Sequence, residues 1–491
     1  MASDKSTLRP LRTFRLVCQK EEIPQVEALL MEQGYRFDPE PFSPWVRRLV
    51  EEPKPLGASL AAFFGLIYIQ DRSSMLPPLA LAPQEGDAVL DMCASPGSKT
   101  GFLAQMVGPE GFVLGNEPSR NRLATLRQNL FNLNLIQAAT CSYSGEQLAL
   151  PSGMWDLIQL DPPCSGWGTV ERNPKVLDLW QGDKIKPLIA LQRQLLREAM
   201  RLLKAGGKVV FSTCTTNVEE NEGQVRFAVD ELGFELVPLE PVAGFSFAKP
   251  MLEGCEGVWR VDPQGEQLAQ DTQDGGSCED TGEHNGQGFF VAALRKPNTA
   301  QDCTPQVDSE EFCPETHAEE RRARVNAHKK HYPDSFMPMQ AAPVHPRDLD
   351  QAGVDATLLP SGQVSVFGES ARFLPAKALE LLPAGFKWQG CALGKAAQRG
   401  DIRVFPRLRC LMPLADDAHT TGALAVNVDD INEITRLLTG QSLSIDINTD
   451  IQNKKVMNKY KEACLYWRGL RLCRLRLKGN GNTVRAMWSE R

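Results

Sequence analysis

The sequence lacks closely spaced cysteine pairs and long apolar runs. None of its 13 cysteines forms a Cys-x-x-Cys motif, which argues against a structural zinc site, and their odd number argues against a framework of disulfide bonds. We therefore expect a reducing compartment. The longest apolar run, residues 60–69, is about half as long as a membrane-spanning helix requires. Residues 1–9 lack the apolar segment of a signal peptide, so the sequence predicts a cytoplasmic protein with no membrane or metal partner.

Charge is distributed unevenly along the chain. The formal net charge is −7, from 54 Lys and Arg against 61 Asp and Glu. Residues 261–283 contain seven acids and no base, and this stretch alone accounts for the excess. Residues 454–491 contain eleven bases and two acids. Because local charge governs attraction to a polyanion more than the total does, a nucleic acid stays a candidate partner.

Composition divides the chain into four regions. Residues 1–75 mix helical and strand-like stretches with a proline-rich middle, which predicts a small leading domain. Residues 76–297 alternate strand-like and helix-like stretches, and residues 298–345 join an acidic block to a basic one without apolar periodicity, as a linker does. Residues 346–491 predict a β-rich terminal domain. Its strand-like runs are 362–367, 401–405 and 463–477.

The pattern of residues 76–297 is typical of an α/β fold with a doubly wound parallel sheet. Apolar runs of strand length alternate with amphipathic stretches of helix length, an order that places consecutive strands in parallel. The predicted strands are 88–92, 112–117, 155–161 and 207–212, with a weaker one at 138–143, and the predicted helices are 119–133 and 187–203.

The first motif follows the first predicted strand and reads Asp91-Met-Cys-Ala-Ser-Pro-Gly-Ser-Lys-Thr100. Small residues here let the backbone approach a ligand beyond the carboxyl ends of the strands. The motif is neither a phosphate-binding P-loop nor a GxGxxG dinucleotide fingerprint. Together with Glu117 at the end of the next strand, it suits a nucleoside whose ribose hydroxyls bind a carboxylate. A plain turn with a solvent-facing glutamate is the alternative interpretation.

Two further motifs place cysteines after strands. Asp161-Pro-Pro-Cys164-Ser-Gly follows one strand, and Ser212-Thr-Cys214 follows the next. A thiolate is a nucleophile, and a helix N-terminus lowers the pKa of a thiol, whereas the glutamates at 219, 220 and 222 act in the opposite sense. A lone buried cysteine is more often inert. Two cysteines on adjacent strand-end loops beside a carboxylate indicate chemistry instead.

In this order, DxxAxPGxKT, DxPCSG and STC…EEN resemble the motifs of the RNA cytosine-5 methyltransferases of the NOP/Sun type. The resemblance covers about residues 50–297 and extends in particular to the branch that acts on bacterial small-subunit ribosomal RNA. It implies a Rossmann-like class I methyltransferase core with S-adenosylmethionine as the methyl donor. It also implies a small N-terminal α+β domain and a β-rich PUA-like C-terminal domain, both of which would bind RNA.

The resemblance implies a role for each residue of the catalytic motifs. Cys214 would be the thiolate that adds to C6 of cytosine, which turns C5 into a nucleophile for the methyl group. Asp161 would hold N3 and the exocyclic amine of the base, and Lys99 would support this arrangement of charges. Cys164 would assist removal of the C5 proton and release of the product. No histidine is needed, and none precedes residue 284.

The resemblance also implies the residues that bind the cofactor. The turn after the first strand would lie beneath the methionine part, and Glu117 would bind the ribose hydroxyls. Where the family usually has an aspartate at the adenine, this chain has a serine, Ser144. The implied set is Cys93, Ala94, Ser95, Pro96, Gly97, Ser98, Lys99, Glu117, Ser144 and Asp161.

The predicted function is methylation of C5 of a cytosine in 16S ribosomal RNA, free or within the 30S subunit, by a monomeric enzyme. Transfer RNA is the first alternative substrate, because the catalytic motifs do not select the RNA. A non-catalytic ribosomal RNA-binding or ribosome-assembly factor is the second alternative, and the paired cysteines count against it. A DNA cytosine methyltransferase would carry its nucleophile in the Asp161 loop instead.

Two segments are predicted to contact RNA. Residues 172–180 follow the Cys164 loop, and the basic segment 454–491 carries aromatic residues that would stack on bases. The alternatives are a packed loop for the first segment and a solvated β-hairpin for the second. The aromatic residues are Tyr460, Tyr466, Trp467 and Trp488.

Overall fold

The structure is a computed structural model of the 491-residue chain. It describes residues 12–170, 173–179, 181–261, 287–298, 342–344, 349, 351–396, 402–444, 460, 462–478 and 483–487. Some predicted segments lie outside the described residues. They are residues 262–283 of the acidic stretch, most of the predicted linker 298–345, and Arg172, Trp180 and Trp488. Within those ranges, no helix combines the length and the apolar character that crossing a membrane requires.

The N-terminal unit is a four-stranded antiparallel sheet with two helices. Its elements are β1 (Thr13–Leu16), α1 (Ile23–Glu32), β2 (Arg36–Pro39), β3 (Val46–Glu51), α2 (Leu60–Phe63) and β4 (Ile67–Ile69). The strands lie in the order β2, β3, β1, β4. Pro24 stands in the first turn of α1, where a proline nitrogen needs no hydrogen-bond partner.

The central unit is an α/β sheet with helices between its strands. Its elements are α3 (Leu76–Leu81), β5 (Ala88–Asp91), α4 (Ser98–Met106), β6 (Phe112–Asn116), α5 (Arg120–Asn132), β7 (Ala138–Cys141), β8 (Trp155–Leu160), α6 (Val176–Leu179), α7 (Lys186–Leu202), β9 (Leu203–Thr213), α8 (Glu222–Asp230), β10 (Glu235–Val237), β11 (Trp259–Val261) and β12 (Phe289–Arg295). Strands β9, β8, β5, β6 and β7 run parallel in that order, while β12 pairs antiparallel with β9, β10 and β11. The predicted α/β core is confirmed, with a mixed sheet rather than a purely parallel one.

The order of strands creates a crevice at one edge of this sheet. Strands β6 and β7 lie on one side of β5, and strands β8 and β9, which come later in the sequence, lie on its other side. The connections therefore leave β5 and β8 in opposite directions. In open α/β sheets, ligands bind at this point of reversal, beyond the carboxyl ends of the strands.

Helix α7 shows how the sequence positions one polar side chain in the core. Its buried residues recur every three or four positions, which is the spacing of one helix face. Gln192 lies on that face between Leu188 and Leu195, and it is fully buried. A buried amide requires hydrogen-bond partners, and those partners lie beside the two cysteine loops.

Beyond residue 341 the described chain forms two sheets, whereas the sequence predicts one β-rich domain. The elements are β13 (Ala342–Val344), β14 (Gly362–Phe367), β15 (Ser370–Pro375), α9 (Ala376–Leu381), β16 (Trp388–Gln389), β17 (Cys391–Ala396), β18 (Ile402–Val404), β19 (Ala423–Val428), α10 (Ile431–Leu438), β20 (Leu443–Ser444), β21 (Glu462–Trp467), β22 (Leu470–Lys478) and β23 (Thr483–Ala486). One sheet has the order β13, β14, β15, β17, β18, and the other has the order β19, β21, β22, β23, β20.

The two C-terminal sheets pack against different parts of the chain. The last sheet shares one hydrophobic core with the N-terminal unit, in which Phe14 and Leu29 join Val426 and Leu465. An ion pair between Arg471 and Glu22, 3.0 Å long and mostly buried, crosses the same interface. In contrast, the sheet built on β14 and β15 packs on α5 of the central unit. Strand β16, which lies between α9 and β17 in the sequence, belongs to the central sheet, where it pairs antiparallel with β7.

The predicted strand 463–477 is a hairpin rather than one strand. Arg468 and Gly469 both have positive φ, 47° and 83°, which is the backbone of a two-residue turn between β21 and β22. The expectation that its aromatic residues stack on RNA is wrong for two of them. Tyr466 and Trp467 are fully buried, and they donate hydrogen bonds to the carbonyls of Pro413 and Asp429. For these two residues the aromatic pattern therefore indicates a core, while stacking by Tyr460 and Trp488 stays a prediction.

Candidate functional site

The predicted site residues lie at the carboxyl edge of the central sheet. The strands β5, β6, β8 and β9 run parallel, so the loops that follow them emerge on the same side. These loops carry the turn from Cys93, the carboxylates of Glu117 and Asp161, and the thiols of Cys164 and Cys214. The structure thus gathers side chains that lie more than a hundred residues apart in the sequence.

Asp91 holds the turn after β5 in shape. Its carboxylate accepts hydrogen bonds from Thr100 Oγ1 at 2.7 Å and from the Cys93 backbone nitrogen at 3.3 Å. Burial raises the pKa of Asp91 from 3.8 to about 6. Gly97 has a φ of 106°, which favours glycine, and it begins α4 directly after the turn. The turn is therefore fixed by its own side chains.

Glu117 is buried rather than solvent-facing, so the alternative of a plain surface glutamate is wrong. Its side chain is 2% exposed. One carboxylate oxygen accepts from the Ser119 backbone nitrogen at 2.8 Å, and the other lies 3.4 Å from the Arg122 guanidinium. Arg122 also donates to the carbonyl of Ser95 at 3.1 Å. It thereby joins Glu117 to the turn after β5.

The loop after β7 is held by Asn116, the last residue of β6. The Asn116 side chain accepts a hydrogen bond from the Tyr143 backbone nitrogen at 2.9 Å and donates to the carbonyls of Tyr143 and Met92. The Tyr143 ring stacks on Phe386 of the C-terminal part at 4.7 Å between ring centres. Ser144 follows on this loop with an exposed side chain. Its assignment to the adenine stays a prediction.

Asp161 is oriented by two other predicted motifs. Lys99 Nζ donates to one carboxylate oxygen at 2.7 Å, and Ser212 Oγ donates to the other at 2.9 Å. Burial alone would lower the pKa of Lys99, but the ion pair with Asp161 outweighs it and raises the pKa. The Asp161 side chain is 25% exposed, so its carboxylate faces the crevice while both neighbours hold it. A carboxylate fixed in this way can accept hydrogen bonds from a base.

The thiols of Cys164 and Cys214 are in direct contact. Their sulfur atoms lie 3.3 Å apart, although fifty residues separate them in the sequence. Donation from Cys164 to Cys214 lowers the pKa of Cys214, and Lys99 lowers it further, against the effects of burial and of Asp161. The same hydrogen bond, together with burial, raises the pKa of Cys164 well above its ordinary value. Of the two thiols, Cys214 is therefore the one that loses its proton more readily.

The loop of Cys164 is tied to the loop of Cys214 by backbone contacts as well. The Gly168 nitrogen donates to the Cys214 carbonyl at 3.1 Å, and the Gly288 nitrogen donates to the Gly168 carbonyl at 3.0 Å. A Cβ on Gly168 would stand 2.2 Å from the Gly288 oxygen. Only glycine permits this close approach of the three segments.

Three residues of the site were not assigned a role from the sequence. Ser212 and Glu220 belong to the STC…EEN motif, so the sequence marked their positions as part of the site. It did not indicate their hydrogen-bond partners, Asp161 for Ser212 and Ser165 for Glu220. Asn116 precedes Glu117 at the end of β6, and nothing local distinguishes it from a strand residue. Among the described residues, no group of three His, Cys, Asp or Glu side chains could hold a metal ion.

Comparison with known proteins identifies relatives of the central unit. Residues 78–295 match the family model described as 16S rRNA methyltransferase RsmB/F. Two proteins named ribosomal RNA small subunit methyltransferase F, from Salmonella heidelberg (strain SL476) and Salmonella agona (strain SL483), are 36% identical over 296 residues and 35% identical over 271 residues. The alignments cover 59% and 51% of this chain. This chain spans only 58% and 56% of the length of these relatives.

Solved structures resemble the same part of the chain. The crystal structure of PH0851 superposes with a TM-score of 0.51 at 26% identity, covering 59% of this chain and 60% of that one. A methyltransferase homolog protein from Pyrococcus horikoshii is 31% identical, with a TM-score of 0.49, and the match covers 59% of this chain and 87% of that one.

Hydrogen peroxide is expected to join the two contacting thiols. Closing 3.3 Å to a disulfide bond of about 2.05 Å needs only a small displacement, and two thiols with one peroxide yield one disulfide and two waters. Peptide mass spectrometry should detect a Cys164–Cys214 crosslink that dithiothreitol reverses, while the peptide of buried Cys255 stays reduced as an internal control. Oxidation of Cys214 to a sulfenic acid without any crosslink would contradict the contact.

Proposed function

Because residues 78–295 match the family model described as 16S rRNA methyltransferase RsmB/F, we propose that this chain transfers a methyl group to C5 of a cytosine in small-subunit ribosomal RNA. The reaction proceeds through a covalent bond between Cys214 and C6 of the base. The single observation that carries the proposal is the contact of Cys214 with Cys164, beside the carboxylate of Asp161. One thiol adds to the base, and the second is placed to complete the reaction.

S-adenosylmethionine, the cofactor that the sequence predicts, agrees with this match, and the residues present fit it. The turn from Cys93 to Gly97 consists of small residues at the carboxyl edge of the sheet, and Glu117 is a buried carboxylate that could accept hydrogen bonds from hydroxyl groups. When bound, the cofactor supplies an electrophilic methyl group. We propose the set named from the sequence, including Lys99, Ser144 and Asp161, as its surroundings.

Cys214 makes the cytosine reactive. Its thiolate adds to C6, and the electron density moves to C5, which then attacks the methyl group. The hydrogen bond from Cys164 lowers the pKa of Cys214, so a larger fraction is thiolate at neutral pH. Addition also requires the base to leave any stack or helix, which costs a few kcal/mol unless the site is already open.

Asp161 and Lys99 support the base as charge develops. The carboxylate is held on both sides, by Lys99 and by Ser212, and its exposed edge faces the crevice. In this position it accepts hydrogen bonds from the exocyclic amine and from the protonated N3 of the adduct. Lys99 also lies 5.3 Å from the centre of the Phe289 ring, which fixes its ammonium group over one wall of the site.

Cys164 completes the cycle. After methyl transfer, the proton on C5 must leave before the bond between Cys214 and C6 can break. Cys164 is the sulfur nearest to Cys214, and the hydrogen bond to Cys214, together with burial, raises the pKa of Cys164 while both sulfurs are free. The bond between Cys214 and C6 removes that hydrogen bond, so Cys164 can release its own proton to solvent and then accept the C5 proton as a thiolate. The electron pair of the C5–H bond restores the C5–C6 double bond, and Cys214 leaves as a thiolate. We assign to it the removal of the C5 proton and the release of the product.

RNA contact by the C-terminal sheet rests on its arginines rather than on its aromatic residues. Arg476 and Arg485 face each other directly across β22 and β23, and both are exposed. Lys478 is exposed on the same strand. Like charges directly opposite each other destabilise a sheet. Glu462 of β21 lies opposite Arg476 on its other side, so Arg485 is the arginine of the pair without a carboxylate directly opposite it within the described part of this sheet, and a further anion would offset the repulsion. A phosphate backbone supplies that anion.

Replacement of Cys214 by alanine is expected to abolish methyl transfer while cofactor binding persists. Loss of the attacking thiolate should lower the rate by more than about 10³-fold, because C5 is then not activated. Transfer of a radiolabelled methyl group to RNA measures the rate, and calorimetry with S-adenosylmethionine measures binding. Cys18→Ala, in the N-terminal unit, serves as a control for loss of a thiol. Substantial residual transfer in Cys214→Ala would refute the assignment.

Replacement of Cys164 by alanine is expected to trap the covalent complex. Attack by Cys214 remains available, whereas release loses the group that removes the C5 proton. A protein–RNA band that resists denaturant should appear on a gel after incubation with S-adenosylmethionine and RNA. The double variant Cys164→Ala, Cys214→Ala should give no such band. A gel without the band in Cys164→Ala would show that the division of labour between the cysteines is wrong.

Bisulfite sequencing of total RNA, from cells with and without this gene, identifies the substrate. We expect one cytosine in small-subunit ribosomal RNA to lose its protection from conversion when the gene is absent. Loss of protection in a transfer RNA instead would favour the first alternative, the same reaction on a different RNA. Unchanged protection throughout would favour a non-catalytic ribosomal RNA-binding factor.

A further inference from the structure

The residues that follow the two cysteines contact each other. Ser165 is next to Cys164, Thr215 is next to Cys214, and their hydroxyl oxygens lie 2.8 Å apart. Both side chains are buried. This contact repeats, one residue further along each loop, the contact between the two sulfurs. The two loops therefore run side by side for at least two residues.

The buried carboxylate of Glu220 accepts hydrogen bonds from Ser165, one of the two residues in this contact. One of its oxygens accepts a hydrogen bond from the Ser165 backbone nitrogen at 3.0 Å, and the other accepts from Ser165 Oγ at 2.5 Å. Glu220 is fully buried and lies on the segment that follows the Cys214 loop. Glu220 thus fixes the Cys164 loop through both the backbone and the side chain of Ser165.

Two amides complete the surroundings of Glu220. Gln192 of α7 donates to one carboxylate oxygen at 3.1 Å, and Asn217 donates to the other at 3.1 Å. Gln192 also donates to the carbonyl of Pro163, directly before Cys164, at 3.0 Å. Each oxygen of Glu220 therefore accepts two hydrogen bonds. A buried carboxylate needs partners of this number to offset the loss of water.

We propose that Glu220 is a positioning residue that holds the thiols of Cys164 and Cys214 in contact, acting through Ser165 and Thr215. The proposal deepens the proposed function and rests on it for the roles of the two thiols. It predicts that a change at Glu220 alters the chemistry of Cys214 without any contact between Glu220 and the sulfur atoms. The reason is that the hydrogen bond between the two sulfurs exists only at a short sulfur–sulfur distance, so a displacement of either loop weakens it.

Glu220→Gln is the sharpest test, because it keeps the shape and replaces one acceptor oxygen by a donor. Both carboxylate oxygens face two donors each, so the new amide hydrogens meet N–H or O–H groups in either orientation. Glu219→Gln is the matched control. It removes the same charge one residue earlier, where the side chain is exposed.

The first readout is alkylation of Cys214 by iodoacetamide as a function of pH, followed by peptide mass spectrometry without RNA. We expect the pH profile of Glu220→Gln to move upward and labelling at pH 7 to slow by about 10-fold, the effect of a rise of one pKa unit. Glu219→Gln should keep the wild-type profile. The second readout is methyl transfer at saturating substrates, where we expect a loss of about 100-fold for a displaced thiol.

A pair of variants at Thr215 keeps the test decisive where Glu220→Gln does not fold. Thr215→Val removes the hydroxyl at nearly constant volume, and Thr215→Ser restores it. We expect the valine variant to shift the alkylation profile upward and the serine variant to return it towards the wild type. A merely structural role would change thermal stability in Thr215→Val but leave the profile of Cys214 in place.

The outcomes separate this inference from the proposed function. A wild-type alkylation profile in folded Glu220→Gln, or in Thr215→Val where the former does not fold, overturns the role of Glu220. A shifted profile supports it, with or without transfer to RNA. In contrast, absence of methyl transfer by the wild-type protein to any RNA overturns the proposed function, because the alkylation readout needs neither RNA nor cofactor.

Discussion

The contact between two sulfur atoms on neighbouring strand-end loops is the interaction on which the rest of the site depends. Such a contact requires β8 and β9 to be adjacent and parallel, because only then do the loops after both strands emerge at the same edge. It also requires the loops to approach more closely than side chains on their backbones would normally permit. Gly168 supplies that approach, since its nitrogen reaches the carbonyl of Cys214 and any Cβ there would collide with Gly288.

The arrangement of the terminal units follows from a second constraint, the need to cover apolar sheet faces. The last sheet and the N-terminal unit bury their apolar faces in one shared core, although nearly the whole length of the chain separates them. The ion pair of Glu22 with Arg471 lies within this interface, where it has few competing water molecules. The N-terminal unit and the last sheet, which carries Arg476 and Arg485, thereby form one body around a shared core.

The sequence predicted what is encoded locally and missed what depends on distant partners. Strand β6, helix α5 and helix α7 were predicted to within two residues at each end, because hydrophobic period and turn residues are local signals. The site residues that the structure brings together, such as Asp161 and Lys99, came from the order of motifs. The burial of Trp467, in contrast, depends on the N-terminal unit, and the pairing of β16 with β7 depends on a segment some 250 residues away. Neither partner is visible from the local pattern, and for the same reason the role of Glu220 could not be assigned.

The difference between the two thiols follows from geometry and not from residue type. Asp161 raises the pKa of both Cys164 and Cys214, and burial does the same, so neither effect distinguishes them. What distinguishes them is the hydrogen bond between the two sulfurs, which lowers the pKa of Cys214 and raises that of Cys164, and the ammonium group of Lys99, which lowers the pKa of Cys214. Lys99 in turn is held by Asp161, the residue proposed to hold the base. Under the proposed function, a base that accepts or donates hydrogen bonds at Asp161 would change the electrostatic potential at the Cys214 sulfur. Binding of the base and formation of the thiolate would then be coupled through the ion pair of Lys99 with Asp161.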